Sequence, residues 1–139
     1  MYPLLMTRHL ETGSAGEQAA CDYLQFNGYH ILARNFRVPF GEIDIIARDP
    51  DGTLVIVEVK TLARTSSIHP EDNLTRSKFT KLSRVALFYT NTNPILVSPD
   101  HGFRIDLIAI ILDPAHSEPS LQKIGKNFFA VSHYKNISY

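Results

Sequence analysis

Residues 41–60 read GEIDIIARDPDGTLVIVEVK, and the reading of this stretch decides the fold. Two apolar, β-branched runs flank Pro50-Asp51-Gly52. Pro50 presets a type I turn and Gly52 takes the left-handed position, so a three-residue hairpin loop is expected. Asp49 then pairs with Thr53, Ile46 faces Ile56, Asp44 faces Glu58, and Glu42 faces Lys60. Residues opposite one another share a sheet face, with Cβ atoms about 4.5–5.5 Å apart. A loop one residue shorter or longer would put Asp44 and Glu58 on opposite faces. Three ionisable side chains in strands with this much apolar residue need partners, because an unpaired buried charge is costly.

Working outward, Tyr29 to Val38 reads as a strand that ends before Pro39, Gly41 to Arg48 as a second, and Thr53 to Thr61 as a third. Ahead of them, Ser14 and Glu17 fit a capping box, Ala19, Ala20, Tyr23 and Leu24 fit a core face, and Gly28 fits a left-handed stop. A helix over about 14–27 is expected, with residues 1–12 as a flexible arm. Residues 62–74 read as a polar loop. Thr75 caps a second helix over about 76–90, with an apolar stripe of Phe79, Leu82, Val85, Ala86 and Tyr89. Ile95 to Ser98 is a candidate short strand. Phe103 to Leu112 is apolar enough for a strand buried on both faces. Beyond Asp113 the chain reads as a loop-like extension over 113–139, and residues 128–131 suit a short edge strand. One domain over 13–112 results, with element order α-β-β-β-α-β. Helices cover a mainly antiparallel meander to which the second helix joins a further strand.

Bulk properties narrow the classes. The chain has 139 residues and is 44% apolar, which suits one domain with a core. Fourteen basic and fourteen acidic residues leave no net charge, so a protein that binds polyanions over its whole surface is disfavoured, while a local basic patch is not. Cys21 is the only cysteine, which excludes an internal disulfide and a cysteine-rich zinc site. It reads as a small core filler. No apolar run approaches a membrane span and the first ten residues lack a signal-peptide core, so no membrane and a cytoplasmic location are expected.

Each candidate site residue has two readings. Like charges opposite one another on a sheet are destabilising, and a divalent cation between Asp44 and Glu58 would reverse that sign. Alternatively the register is shifted and each acid meets solvent or an arginine. Lys60 shares a face with Glu58 and suits the orientation of a nucleophile or the stabilisation of phosphoryl charge; a salt bridge to Glu42 is the alternative. Glu17 either completes the capping box or reaches the same face as a further acid. Arg76, Lys78, Lys81 and Arg84 are the only charges of the second helix and suit a phosphate-gripping face or a solvated one. Arg34 and Arg37, on or next to the first strand, suit a phosphate or a carboxylate partner. Arg104 and Asp106 share a strand face and suit a structural pair. The six histidines form no spaced ligand pair on one helix.

GEIDIIA followed after a turn by VIVEVKT resembles the YraN family of bacterial proteins. That family has a restriction-endonuclease-like PD-(D/E)xK fold, similar to archaeal Holliday-junction resolvases. Gly13-x-x-Gly16-Glu17, Gly28-Tyr29-x-Ile31-Leu32-x-Arg34-Asn35-Phe36-Arg37, Thr75-Arg76-Ser77-Lys78 and Arg104-Ile105-Asp106-Leu107-Ile108-Ala109 extend the resemblance over residues 12–112. It implies an α/β (α+β) core with a mixed sheet flanked by helices. It also implies a nuclease using Mg2+ or Mn2+ on DNA, including branched or structured DNA. Asp44 and Glu58 with the Val59 carbonyl would hold the metal, Lys60 would position the attacking water, and Glu17 matches a helix acid of resolvase-like members. Lys78 falls where the fold places a further polar residue. Ile43 stands where a proline can precede the aspartate. Leu62-Ala63 stand where relatives carry arginine, with Arg64 as the substitute phosphate contact. A nucleic-acid-binding adaptor that cleaves nothing, and a protein-interaction domain with a vestigial site, are the other classes. A homodimer is left open.

Overall fold

The computed structural model describes residues 4–63, 70–113, 122–124 and 127–138, with side chains described in 14–62, 72–111 and 129–138. Helix α1 spans Leu4–Phe26, followed by strands β1 (His30–Val38), β2 (Gly41–Arg48) and β3 (Leu54–Ala63). A short helix α2 (Pro70–Asn73) and the long helix α3 (Arg76–Thr92) lead to β4 (Phe103–Asp113), β5 (Gln122–Ile124) and β6 (Asn127–Tyr134). The expected α-β-β-β-α-β order is therefore present, and the sheet has six strands in the order β1-β2-β3-β4-β6-β5. Only β3 and β4 are parallel. A parallel pair needs a crossover, and α3 supplies it.

The hairpin forms as its turn residues dictate. Gly52 has φ 96°, its N–H donates to the Asp49 carbonyl, and the Asp49 N–H donates to the Thr53 carbonyl at 2.9 Å. Asp49 and Asp51 side chains accept the N–H groups two residues on. Four pairs follow, from Arg48 with Leu54 to Ile45 with Val57, in the expected register. The ladder then ends, one pair short of Asp44 and Glu58.

Helices cover both faces. Ala19, Ala20 and Leu24 of α1 pack on Ile45, Val55, Val57 and Ile108. Leu82, Val85 and Ala86 of α3 pack on Ile43, Ile46, Leu54, Ile56 and Leu107. Leu54 to Val57 have no exposed surface because β3 is central and alternates between the two cores. The apolar run of β4 has the same cause. Gly28, at φ 85°, closes α1 with a bond from the Tyr29 N–H to the Leu24 carbonyl. Thr75 caps α3 by accepting from the Lys78 N–H.

Several expectations are corrected. α1 begins at Leu4 and not at Ser14, so there is no arm over residues 4–12 and no capping box at Glu17; nothing between 4 and 13 forbids a helix, and Gly13 and Gly16 are tolerated inside it. Pro94–Leu96 is a 3₁₀ turn and not a strand, because Pro94 favours a helical first position and the Leu96 N–H donates to the Asn93 carbonyl. Leu62 and Ala63 belong to β3, since they pair with Ile111 and Leu112. β6 lies inside the sheet, between β4 and β5, and is not an edge strand.

Gly16 sets how closely α1 lies on β3. A Cβ there would run into the Thr61 hydroxyl, one residue past Lys60. Gly16→Ala is therefore expected to lose about 1–2 kcal/mol, since overpacking outweighs the better helix propensity of alanine. Thr61→Ala in the same chain should restore the loss, as read by denaturant midpoints; the single variant at wild-type stability would contradict the close approach.

Candidate metal centre

Asp44 sits at a kink. Ile45 packs under α1, yet Ile43, two residues away, packs under α3. Strand alternation would place both on one face. The neighbouring strand turns over at the same level: Asn35 has φ 53°, Arg34 reaches Gln18 of α1, and Phe36 meets Tyr89 of α3 edge to face. Asparagine tolerates this left-handed backbone better than other side chains with a Cβ. β2 thereby swings away from β3, and the Asp44 carboxylate fills the gap. Its Oδ2 accepts the Val59 N–H at 2.8 Å, a bond that a further strand pair would otherwise have made. The N–H and C=O of one strand residue point to the same edge, so the Val59 carbonyl also faces this fork.

Glu58 lies between Val57 and Val59, which pack under α1, so it faces the α3 side. It lines a cleft of about 160 Å³ together with Gly41, Glu42, Lys78, Lys81 and Leu82. Its carboxyl hydrogen-bonds that of Asp44. Burial, then the charge of Asp44, pushes the Glu58 carboxyl up, against the opposing charge of Lys60. Asp44 is also pushed up by burial, with the Val59 N–H opposing and the charges of Glu17 and Glu42 adding to the rise. Two adjacent carboxylates cannot both ionise cheaply, so the pair favours keeping one proton between them over losing both.

The structure brings Glu17, Asp44, Glu58 and Lys60 into electrostatic contact in the middle of β3, where its pairing with β2 stops, and adds Lys78 and Lys81 from α3. Glu17 is mid-helix and its charge acts on Asp44. Glu42 does not pair with Lys60 as the extended register required. The ladder stops before it, and Glu42 pairs instead with Arg37, its neighbour across β1 and β2, at 3.1 Å. Arg37 and Glu42 are both largely exposed, so that pair contributes little. Arg34 points to the α1 side and bonds Gln18. Arg76 borders a separate hollow with Phe79 and Thr80, away from Lys78 and Lys81. Arg84 is exposed one turn beyond Lys81. Arg64 lies outside the described residues.

A second polar cluster, of which only the Arg104–Asp106 pair was expected, lies under the C-terminal half of α1. Asp106 is fully buried, bonds Arg104 Nε at 3.0 Å and His133 Nε2 at 2.8 Å, and accepts the Asn136 N–H at 2.9 Å. Arg104 also reaches Asp49 at 2.7 Å and Tyr29 at 3.0 Å, and His133 Nδ1 meets the Tyr23 hydroxyl. Burial pushes the Tyr29 hydroxyl up to about 12, helped by Asp49. His133 comes from β6, far along the chain, which is why no local motif announced it.

Among the described residues no group of three or more His, Cys, Asp or Glu side chains forms a ligand cage. The donors at the fork are two carboxylates and one carbonyl beside an open cleft. That set suits a hard divalent cation that keeps several waters.

A mixed sheet between helices, with an acidic pair and a lysine where two strands part, defines an α+β protein with the expected α-β-β-β-α-β core. The chain belongs to the uncharacterised protein family UPF0102, the YraN family, whose model matches residues 16–110. It is 43% identical over 120 residues to a UPF0102 protein of Thermodesulfovibrio yellowstonii, covering 86% of this chain and 97% of that protein. It is 42% identical over 109 residues to a UPF0102 protein of Syntrophus aciditrophicus, covering 78% of this chain and 83% of the relative. None of the helices, among the described residues, is long and apolar enough to cross a membrane.

Proposed function

We propose that this chain is a Mg2+- or Mn2+-dependent nuclease that hydrolyses phosphodiester bonds in DNA, with branched or structured DNA as its substrate in repair or recombination. The observation that carries the reading is the Asp44–Glu58 carboxyl pair: half-buried, both members pushed up by desolvation, next to Lys60, with Glu58 lining an open cleft that Lys78 and Lys81 also line. A structural role would favour a neutral pair at such a place.

Asp44, Glu58 and the Val59 carbonyl would hold the cation. When bound, it supplies charge stabilisation at the phosphoryl oxygens and acidifies water. The Val59 N–H fixes the Asp44 carboxylate beside Glu58. Lys60 orients the attacking water and offsets charge that grows on the phosphate. Glu17 completes the acidic rim on the α1 side, in direct or water-mediated contact. Lys78 and Lys81 receive backbone phosphates in the cleft. DNA as substrate corresponds to a cytoplasmic location.

Linear, single-stranded, flapped and four-way DNA incubated with magnesium or manganese test the proposal. Wild type should cleave at least one of them. Asp44→Ala and Lys60→Ala should each lose about 10²–10³-fold or more in rate. Equal degradation by all three proteins would mark the activity as contamination. Salt-sensitive DNA binding with no cleavage under any condition would identify an adaptor instead.

A further inference from the structure

Phe40 is 50% exposed and Phe88 is 42% exposed, and neither belongs to the two cores. Their rings meet edge to face, with centroids 5.6 Å apart. The contact is held from below. A Cβ on Gly41 would press within 2.6 Å of the Val85 side chain, so the β1–β2 turn lies directly on α3. Gly41 and Val85 also line the cleft that holds Glu58, Lys78 and Lys81, and the aromatic pair therefore stands at the rim of that cleft.

The surroundings are cationic. On a helix, residues three, four and seven apart share a face, so Lys78, Lys81, Arg84 and Phe88 form one stripe beside buried Val85. From Arg76 to Thr92 the helix carries no acid. Aromatic faces set along a basic track are the arrangement by which proteins bind unpaired nucleotides: bases stack and phosphates are neutralised. Bases inside a duplex have no free face to offer. From Lys78 to Phe88 the helix rises about 15 Å, the span of a few nucleotides.

We propose that Phe40 and Phe88 form a base-stacking platform, so that the substrate of this site carries an unpaired DNA segment leading into the cleft. This rests on the nuclease reading and narrows it to DNA with single-stranded arms, flaps or ends.

The test uses the full chain carrying Asp44→Ala, without divalent cation, so that binding is read apart from cleavage. The probes are a 15-nucleotide oligothymidylate, an abasic strand of the same length, and a duplex. The chain has no tryptophan, so Phe88→Trp introduces a single reporter. Oligothymidylate should quench its emission and the abasic strand should not. Phe88→Ala and Phe40→Ala should each weaken oligothymidylate binding about tenfold and leave abasic binding unchanged. Equal binding of both strands, insensitive to either substitution, overturns the platform whether or not wild type cleaves DNA. A change from dimer to monomer in Phe88→Ala, with oligothymidylate binding unaltered, overturns it in favour of a self-association surface. A Phe88-dependent preference for oligothymidylate in a protein that cleaves nothing keeps the platform and removes the nuclease.

Discussion

Glu58→Gln is expected to leave the protein without cleavage activity and, in the absence of divalent cation, more stable than wild type. The amide keeps the shape and the hydrogen bond to Asp44 but removes the charge that burial and Asp44 oppose. About 1–3 kcal/mol, or several degrees in melting temperature, is the expected gain. The pH dependence supplies a second readout. A carboxyl whose folded value is raised binds more protons folded than unfolded, so wild-type stability should fall as pH rises from the ordinary carboxylate range, near pH 4, towards that raised value. The variant should lack this part of the slope. Manganese should reverse the order: wild type gains stability as the cation replaces the shared proton, increasingly at higher pH, and Glu58→Gln gains little. Thermal shifts across pH with and without manganese read all of this. A destabilised Glu58→Gln would show that the pair is a structural contact and not a site kept at a cost in stability.

The second large effect is expected far from the cleft. Asp106→Ala should cost about 3–5 kcal/mol, because Arg104, His133 and the Asn136 N–H would all lose an acceptor in a fully buried place. For a chain of this size that is about 10–20 °C in melting temperature. The sign with pH is opposite to that of Glu58. Burial alone would raise Asp106, but His133, the Asn136 N–H and Arg104 outweigh it and hold the carboxyl below its ordinary value. Its contribution is present above about pH 4 and is lost as pH falls through the lowered folded value. The alanine variant should therefore show a shallower acid limb. Adding Arg104→Met should cost less than the sum of the two changes, since the arginine has already lost one of its carboxylates. Strict additivity by urea unfolding would contradict a single connected network.

The hairpin was readable because Pro50 and Gly52 specify a turn of one length, and length fixes register. The register could not be carried to Asp44 and Glu42, because a backbone choice at Asn35 on the next strand turns β2 over. The two acids meet all the same, through side chains that lean across the fork and not through a strand pair. Glu17 illustrates the converse. Its capping role was inferred from Ser14, and it disappears once the helix is seen to start at Leu4. The cations of α3 divide in a way that charge counting missed: Lys78 and Lys81, three residues apart, line the cleft, and Arg76 borders a separate hollow. Phe88 was legible by helical spacing, as an aromatic on the basic stripe and off the apolar one. His133 and Asn136 were not, because only the β4–β6 pairing brings them to Asp106.

β3 is fastened unequally along its two edges. Towards β4 it makes ten successive pairs, from Leu54 with Phe103 to Ala63 with Leu112; towards β2 it makes four. One edge is an anchor and the other, past Val57, is left unpaired by β2. The unpaired edge needs no support from β2, since the anchor already fixes where Glu58, Val59 and Lys60 stand. The shape of the β1–β2 turn can consequently change without misplacing these three residues, so long as Asp44 keeps its bond to the Val59 N–H.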